Sequence, residues 1–174
     1  MSHSNTGDAK ASGKGGEPGA GKAPGQGDVI TEHVTLRYDY ALGEVAGRFM
    51  AGLKEGKILA TRCSKSALTY LPPRAYCERT FAKCDSWVEA GLEGVIEAST
   101  IVVRGFEGKR KPPVAIAFVR LDGTDSAIGN YVDGVDLSDY DAAMKKIAPG
   151  QRVRVEFAAQ REGRITDFSF HCID

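Results

Sequence analysis

Apolar positions along the chain change their period several times. Around Val29 to Leu36, Ile30, Val34 and Leu36 alternate with polar neighbours, the two-residue period of a short strand or extended arm. From Ala41 to Lys54 the period lengthens: Leu42, Val45, Ala46, Phe49, Met50 and Leu53 fall on one helical stripe. Asp39 is placed to cap that helix and Gly56 to stop it. The stripe carries Phe and Met and needs a surface to cover, in the first instance the chain's own core and in the second a partner. Lys57 to Arg62 then reads as a short strand running into Cys63.

The second half is richer in strands. Trp87 to Val103 reads as a strand interrupted at Gly91 and Gly94, ending in the β-branched run Ser99 to Val103. A Gly and basic loop, Gly105 to Lys111, leads through Pro112-Pro113 to the apolar strand Val114 to Leu121. Asp122-Gly123 is a turn signal, and Ala127 to Val132 gives the next strand. Ser138 stands as cap of a short helix, Asp139 to Ile147, halted by Pro149-Gly150. Arg152 to Ala159 and Ile165 to Cys172 follow as strands around a Glu162-Gly163 turn. About five strands with a helix between the third and fourth is the element order of the OB-fold, a small Greek-key barrel.

At 174 residues the chain has room for one ordinary domain with a small appendage. The division expected is a tail over 1–28, an arm and amphipathic helix over 29–56, a knuckle over 57–86 and the barrel over 87–174. The tail is Gly-, Ala-, Lys- and Pro-rich and cannot bury enough apolar surface to offset the entropy of ordering, so it is expected to be disordered or extended. Lys plus Arg and Asp plus Glu both number 23, a balance that argues against phosphate neutralisation as the main task. No apolar run is long enough for a membrane span, and Met1 to Asp28 lacks the apolar core of a secretory leader. A reducing cytoplasm is therefore the expected setting for the four cysteines.

In that setting clustered cysteine reads more readily as a metal site than as disulfides. Cys63, Cys77 and Cys84 lie close together in sequence, with Cys172 distant. Three readings stand. The first three bind zinc, with a fourth ligand from Cys172, His171 or a partner; or the knuckle has lost its metal and survives by packing of Tyr70, Leu71, Tyr76 and Phe81; or the thiols are ordinary small buried side chains. Cys63, Cys77 and Cys84 are the candidate ligands. No Glu or His stands nearby as a general base, so a catalytic zinc is not expected.

The string CSKSALTYLPPRAYCERTF, Cys63 to Phe81, resembles the signature of the small OB-fold proteins encoded beside thiolases and lipid-transfer-type thiolases. That pattern is a CxxC knuckle, a Pro-Pro-Arg segment, a second CxxC and then an OB-fold. The preceding amphipathic helix and the strand AIAFVRLDG, Ala115 to Gly123, extend the resemblance from Ala41 to the C-terminus. It implies a mainly β protein: an N-terminal helix, a small rubredoxin-like zinc ribbon, and a five-stranded OB-fold barrel. It puts Cys63 and Cys77 at the first and third ligand positions, with Ser66 and Thr80 where the other two cysteines belong and Cys84 as a substitute. It also implies a non-catalytic accessory subunit, attached to a thiolase-family enzyme in a hetero-oligomer, that helps to place CoA or acyl-CoA substrate.

Other candidates are weaker. Arg74, in Pro72-Pro73-Arg74, suits a CoA phosphate or a partner carboxylate, or it simply stacks on Tyr76 or Trp87. Lys109-Arg110-Lys111 reads first as a solvated hairpin loop and second as a contact to the adenosine phosphates of CoA. Asp122, Asp125, Asp133, Asp136, Asp139 and Asp141 do not have calcium-loop spacing. Trp87, Phe106 and Phe118 read as core or interface rather than as a base-stacking platform, because no Lys or Arg interleaves with them. His3, His33 and His171 form no catalytic constellation, and His171 and Cys172, adjacent on a strand, point to opposite faces. Two rival functions are a nucleic-acid-binding protein of the same build and a stand-alone acyl-CoA-binding module.

Overall fold

The computed structural model describes residues 39–105 and 110–173. The tail, the arm before residue 39, His3, His33, Phe106 and Lys109 lie outside the described residues.

Helix α1 spans Gly43–Glu55 and turns its stripe inward: Phe49 and Leu53 are buried in the main core, with Met50 packed at its edge. The stripe thus covers the chain's own core. Gly56 ends the helix at φ +79°, where the N–H of Gly56 reaches the Leu53 carbonyl and that of Lys57 the Gly52 carbonyl. Only a residue free of a Cβ takes that left-handed conformation without cost. The N-terminus differs from expectation: Leu42 holds the cap position without a side-chain bond, and Asp39 is too far ahead of Gly43 to serve the first turn.

Strands β1 (Leu59–Arg62), β2 (Thr69–Tyr70) and β3 (Ser86–Glu89) make a small antiparallel sheet in the order β2-β1-β3. Trp87 and Val88 therefore sit opposite Thr61 and Ala60 rather than in the barrel. The interrupted strand Trp87 to Val103 is two strands. The break falls at Gly91, whose N–H bonds the Asp122 carbonyl and whose Cβ, if present, would stand 3.1 Å from that oxygen.

Strands β4 (Glu93–Val102), β5 (Val114–Leu121), β6 (Ile128–Asp133), β7 (Arg152–Phe157) and β8 (Phe168–Cys172) close into a barrel in the order β4-β5-β6-β8-β7. β6 and β8 run parallel, and β7 returns to pair with β4. Helix α2, Tyr140–Lys146, lies between the third and fourth barrel strands, which completes the OB arrangement. Period-two burial along β5 sends Ala115, Ala117, Val119 and Leu121 inside, where they meet Ile96, Ile128, Val153, Phe168 and Phe170. The same core takes in Leu53, Ile58, Ala60 and Leu71, so helix, small sheet and barrel share one apolar interior.

Two local features shape the barrel. β4 shifts register between Ile96 and Ala98, a bulge that bends the longest strand. Gly94 lies so close to β5 that a Cβ there would come within 2.5 Å of the Arg120 carbonyl oxygen. Two sequence expectations are corrected at the ends of elements. The cap of α2 is Asp139, whose carboxylate accepts from the N–H groups of Asp141 and Ala142, and Ser138 lies one position outside. The strand expected from Ile165 begins only at Phe168, because Ile165–Asp167 forms a 3-10 turn. There the buried Asp167 carboxylate accepts from the N–H groups of Glu162, Gly163 and Arg164 at 2.9, 2.7 and 2.9 Å. Among the described residues no helix is long and apolar enough to cross a membrane.

Candidate functional site

The segment from Cys63 to Cys84 folds as two knuckles of the same design, fourteen positions apart. In the first, the Cys63 N–H bonds the Leu68 carbonyl at 2.9 Å; in the second, the Cys77 N–H bonds the Ala82 carbonyl at 2.9 Å. Each knuckle carries a hydroxyl three residues after its cysteine, Ser66 and Thr80, and a residue of positive φ one further on, Ala67 at 60° and Phe81 at 56°. These left-handed positions lack glycine, so the surrounding bonds must hold them in place.

The two knuckles face one another and exchange partners. Cys63 Sγ lies 3.6 Å from Thr80 Oγ1, and Cys77 Sγ lies 3.3 Å from Ser66 Oγ. Tyr70 Oη, from β2, reaches the Cys77 sulfur at 3.1 Å. Cys63, Tyr70 and Cys77 are all buried and form a small core of their own, with Leu68, Ala82 and Cys84 packed against it. The hydroxyls set the acidity of the thiols. Ser66 is the largest influence on Cys63 and lowers its pKa. Burial pushes Cys77 up, but Ser66, Thr80 and Tyr70 more than offset it, and Cys77 falls to about 5. Cys84 moves the other way, pushed up chiefly by burial.

Of the expected ligands Cys63, Cys77 and Cys84, the first two converge and the third does not join them. Cys84 packs against the edge of their small core and lines a neighbouring cleft. Among the described residues no group of three or more His, Cys, Asp or Glu side chains gathers to hold a metal ion. The four side chains that do converge are two thiols and two neutral hydroxyls. A structural zinc site takes four Cys or His ligands, and this donor set does not fit one.

Beside the knuckles, a cleft of about 560 Å³ opens between the start of α1 and the small sheet, lined in part by Leu42, Val45, Arg74, Lys83 and Trp87. Arg48 lies over the Trp87 ring at 4.6 Å. The Arg74 backbone is pinned at both its polar groups by the Thr61 hydroxyl, at 2.8 and 2.9 Å. Its guanidinium lies 5.2 Å over Tyr70 and pairs with Glu78, so it stacks on neither Tyr76 nor Trp87. Sequence reasoning had no signal for Thr61, because its partner is thirteen residues away.

The remaining candidates are occupied elsewhere. Arg110 pairs with Asp133 at 2.5 Å and stacks 4.3 Å over Tyr131, which anchors its loop to β6. Burial raises the Asp133 carboxyl, yet the bonds from Arg110 and Ser169 and the Arg110 charge together outweigh it and hold the pKa low. Asp122 pairs with Arg152, which also takes Glu93, tying the β5 turn to β4 and β7. Asp136 and Asp139 accept backbone N–H groups as turn and cap residues. His171 meets Glu156 at 3.3 Å while the Cys172 thiol points to the Lys146 carbonyl, so the two neighbours do serve opposite faces.

Phe118 is half-exposed and lines, with Ile116, Tyr131 and Ile165, an apolar groove of about 480 Å³ on the barrel wall.

With that geometry in hand, residues 87–158 match the family described as ChsH2, C-terminal OB-fold domain. The match runs from the small sheet's last strand through β7. Two solved structures carry the same fold over a longer span. One is the crystal structure of a DUF35-family protein of unknown function from Sulfolobus solfataricus, 24% identical, with a TM-score of 0.55, covering 75% of this chain and 87% of its own. The other is an Ltp2–ChsH2(DUF35) aldolase, 16% identical, with a TM-score of 0.61, covering 77% of this chain and 98% of its own. No curated protein sequence matches the chain.

Proposed function

We propose that this chain is a non-catalytic accessory subunit of a thiolase-type acyl-CoA enzyme, working in a hetero-oligomer in which the partner supplies the catalytic groups. The observation that carries this reading is the match of residues 87–158 to the ChsH2 OB-fold domain. The fold shared with the chain in the Ltp2–ChsH2(DUF35) aldolase extends it beyond the barrel. The Cys63 to Phe81 signature supports the thiolase type in particular, and it resembles that of the small zinc-finger subunit of benzoylsuccinyl-CoA thiolase. An aromatic acyl-CoA is therefore the first substrate class to try.

The cleft beside α1 suits a part in substrate placement. Its lining includes the cations Arg74 and Lys83 together with the apolar side chains Leu42, Val45 and Trp87. A CoA thioester has matching parts, phosphates at one end and an apolar acyl or pantetheine arm at the other.

The test is purification of the tagged full chain from its native source, with identification of what comes with it. Recovery of a thiolase-type enzyme supports the proposal. A lone chain that binds single-stranded nucleic acid tightly, with a steep loss of affinity in salt, overturns it.

A further inference from the structure

The knuckle pair brings two thiols and two hydroxyls together, one of each from either knuckle. Zinc needs ligands that give up a proton or offer a basic nitrogen, and Ser and Thr hydroxyls do neither near neutral pH. Cys84 would be the obvious replacement, yet among the described residues Cys63, Cys77 and Cys84 do not gather into a group that could hold a metal ion, and Cys84 lines the neighbouring cleft. The arrangement has its own internal bonding instead. Each thiol meets the hydroxyl of the opposite knuckle, and Tyr70 closes the Cys77 side.

The backbone around this cluster is also satisfied without a metal. Phe81 N–H bonds the Cys77 carbonyl, Cys84 N–H the Ala75 carbonyl, and Asp85 N–H the Arg62 carbonyl, at 2.9, 2.9 and 3.0 Å. Asp85 in turn accepts the N–H and hydroxyl of Ser64, at the start of the first knuckle. We propose that the two knuckles of this chain hold one another through crossed thiol–hydroxyl bonds and keep their fold without a metal ion. Ser66 and Thr80 stand in ligand positions and act there as clamps. A corollary is that two substitutions, Ser66→Cys and Thr80→Cys, create a four-thiolate site in a frame already shaped for it.

The test uses the full chain in a reducing buffer, with Zn²⁺ and Co²⁺ as probes. The wild-type protein is expected to carry far less than one zinc per chain and to melt at the same temperature with and without a strong chelator. Added Co²⁺ is expected to give no absorption of tetrahedral thiolate coordination. The double variant is expected to take up one Zn²⁺ or Co²⁺ per chain, with that absorption, and to gain a chelator-sensitive rise in Tm. A wild-type protein with one tightly held zinc, or one whose Tm falls when chelated, overturns the proposal. So does a folded double variant that binds neither metal, since the hydroxyls would then not occupy ligand positions. Should the double variant not fold, the wild-type zinc content and Co²⁺ spectrum still decide.

Discussion

At the scale of single residues, the buried side chains of Asn130 and Asp167 are each held by three partners at once. Asp167 is the clearest case, with three backbone donors on one buried carboxylate. Burial pushes its pKa up, and the three N–H bonds more than reverse this, so the folded value lies below the ordinary one. A depressed carboxyl contributes stability above its unfolded pKa and loses it as pH falls through the folded value. Asp167→Asn is expected to lower stability by about 2 kcal/mol at pH 7, because it weakens charge-assisted bonds at a buried site. The difference from wild type should shrink as the pH drops below about 4, the unfolded pKa. Urea unfolding at the two pH values checks both statements, and a pH-independent difference would refute the assignment of the effect to the charge.

Residue by residue, the knuckle was partly legible in the sequence. Ser66 and Thr80 at cysteine positions signalled that a four-thiolate site was in doubt. That their hydroxyls would cross over to the opposite thiols was not legible, since such pairing depends on how two turns far apart in sequence face each other.

At the scale of elements, periodicity found the barrel strands and both helices, and the errors cluster at ends and breaks. The helical stripe of α1 was readable because six apolar residues repeat over three turns. Its start was not, since no side chain caps it. The run from Trp87 to Val103 looked continuous because both halves are β-prone, while its division between two sheets follows from tertiary pairing at Gly91. Asp167 hid a 3-10 turn inside what read as a strand.

The capping correction makes a direct comparison. Asp139→Ala is expected to cost about 1 kcal/mol through loss of the bonds to the Asp141 and Ala142 N–H groups. Ser138→Ala should stay within about 0.5 kcal/mol. Equal effects in thermal melts would contradict the placement of the cap. In β4, Gly94→Ala forces a Cβ against the Arg120 carbonyl and the Leu121 Cα and is expected to destabilise by about 1–3 kcal/mol. A melt unchanged from wild type would show that the two strands do not approach so closely.

At the scale of the whole molecule, one apolar interior joins helix, small sheet and barrel, and the knuckle pair, with a small core of its own, is attached to that shared interior through the small sheet. Element order alone predicted the OB barrel, because a helix between the third and fourth of five strands narrows the topologies sharply. The small sheet's attachment to that barrel depended on contacts between distant segments, such as the Leu71 carbonyl with the Ser126 hydroxyl and the Thr69 N–H with Asp125. Partner and substrate are another matter. Among the described residues no side chain of the barrel specifies a thiolase, and that part of the proposal comes from the resemblance of the Cys63 to Phe81 segment.

The most direct measurement of the central claim is native mass spectrometry of the tagged full chain co-expressed with the thiolase-type enzyme of its own source, paired with acyl-CoA turnover by each component. The account predicts a stable hetero-oligomer, no turnover by this chain alone, and full activity only when both proteins are present. A free 18.6 kDa chain beside a fully active partner would contradict it.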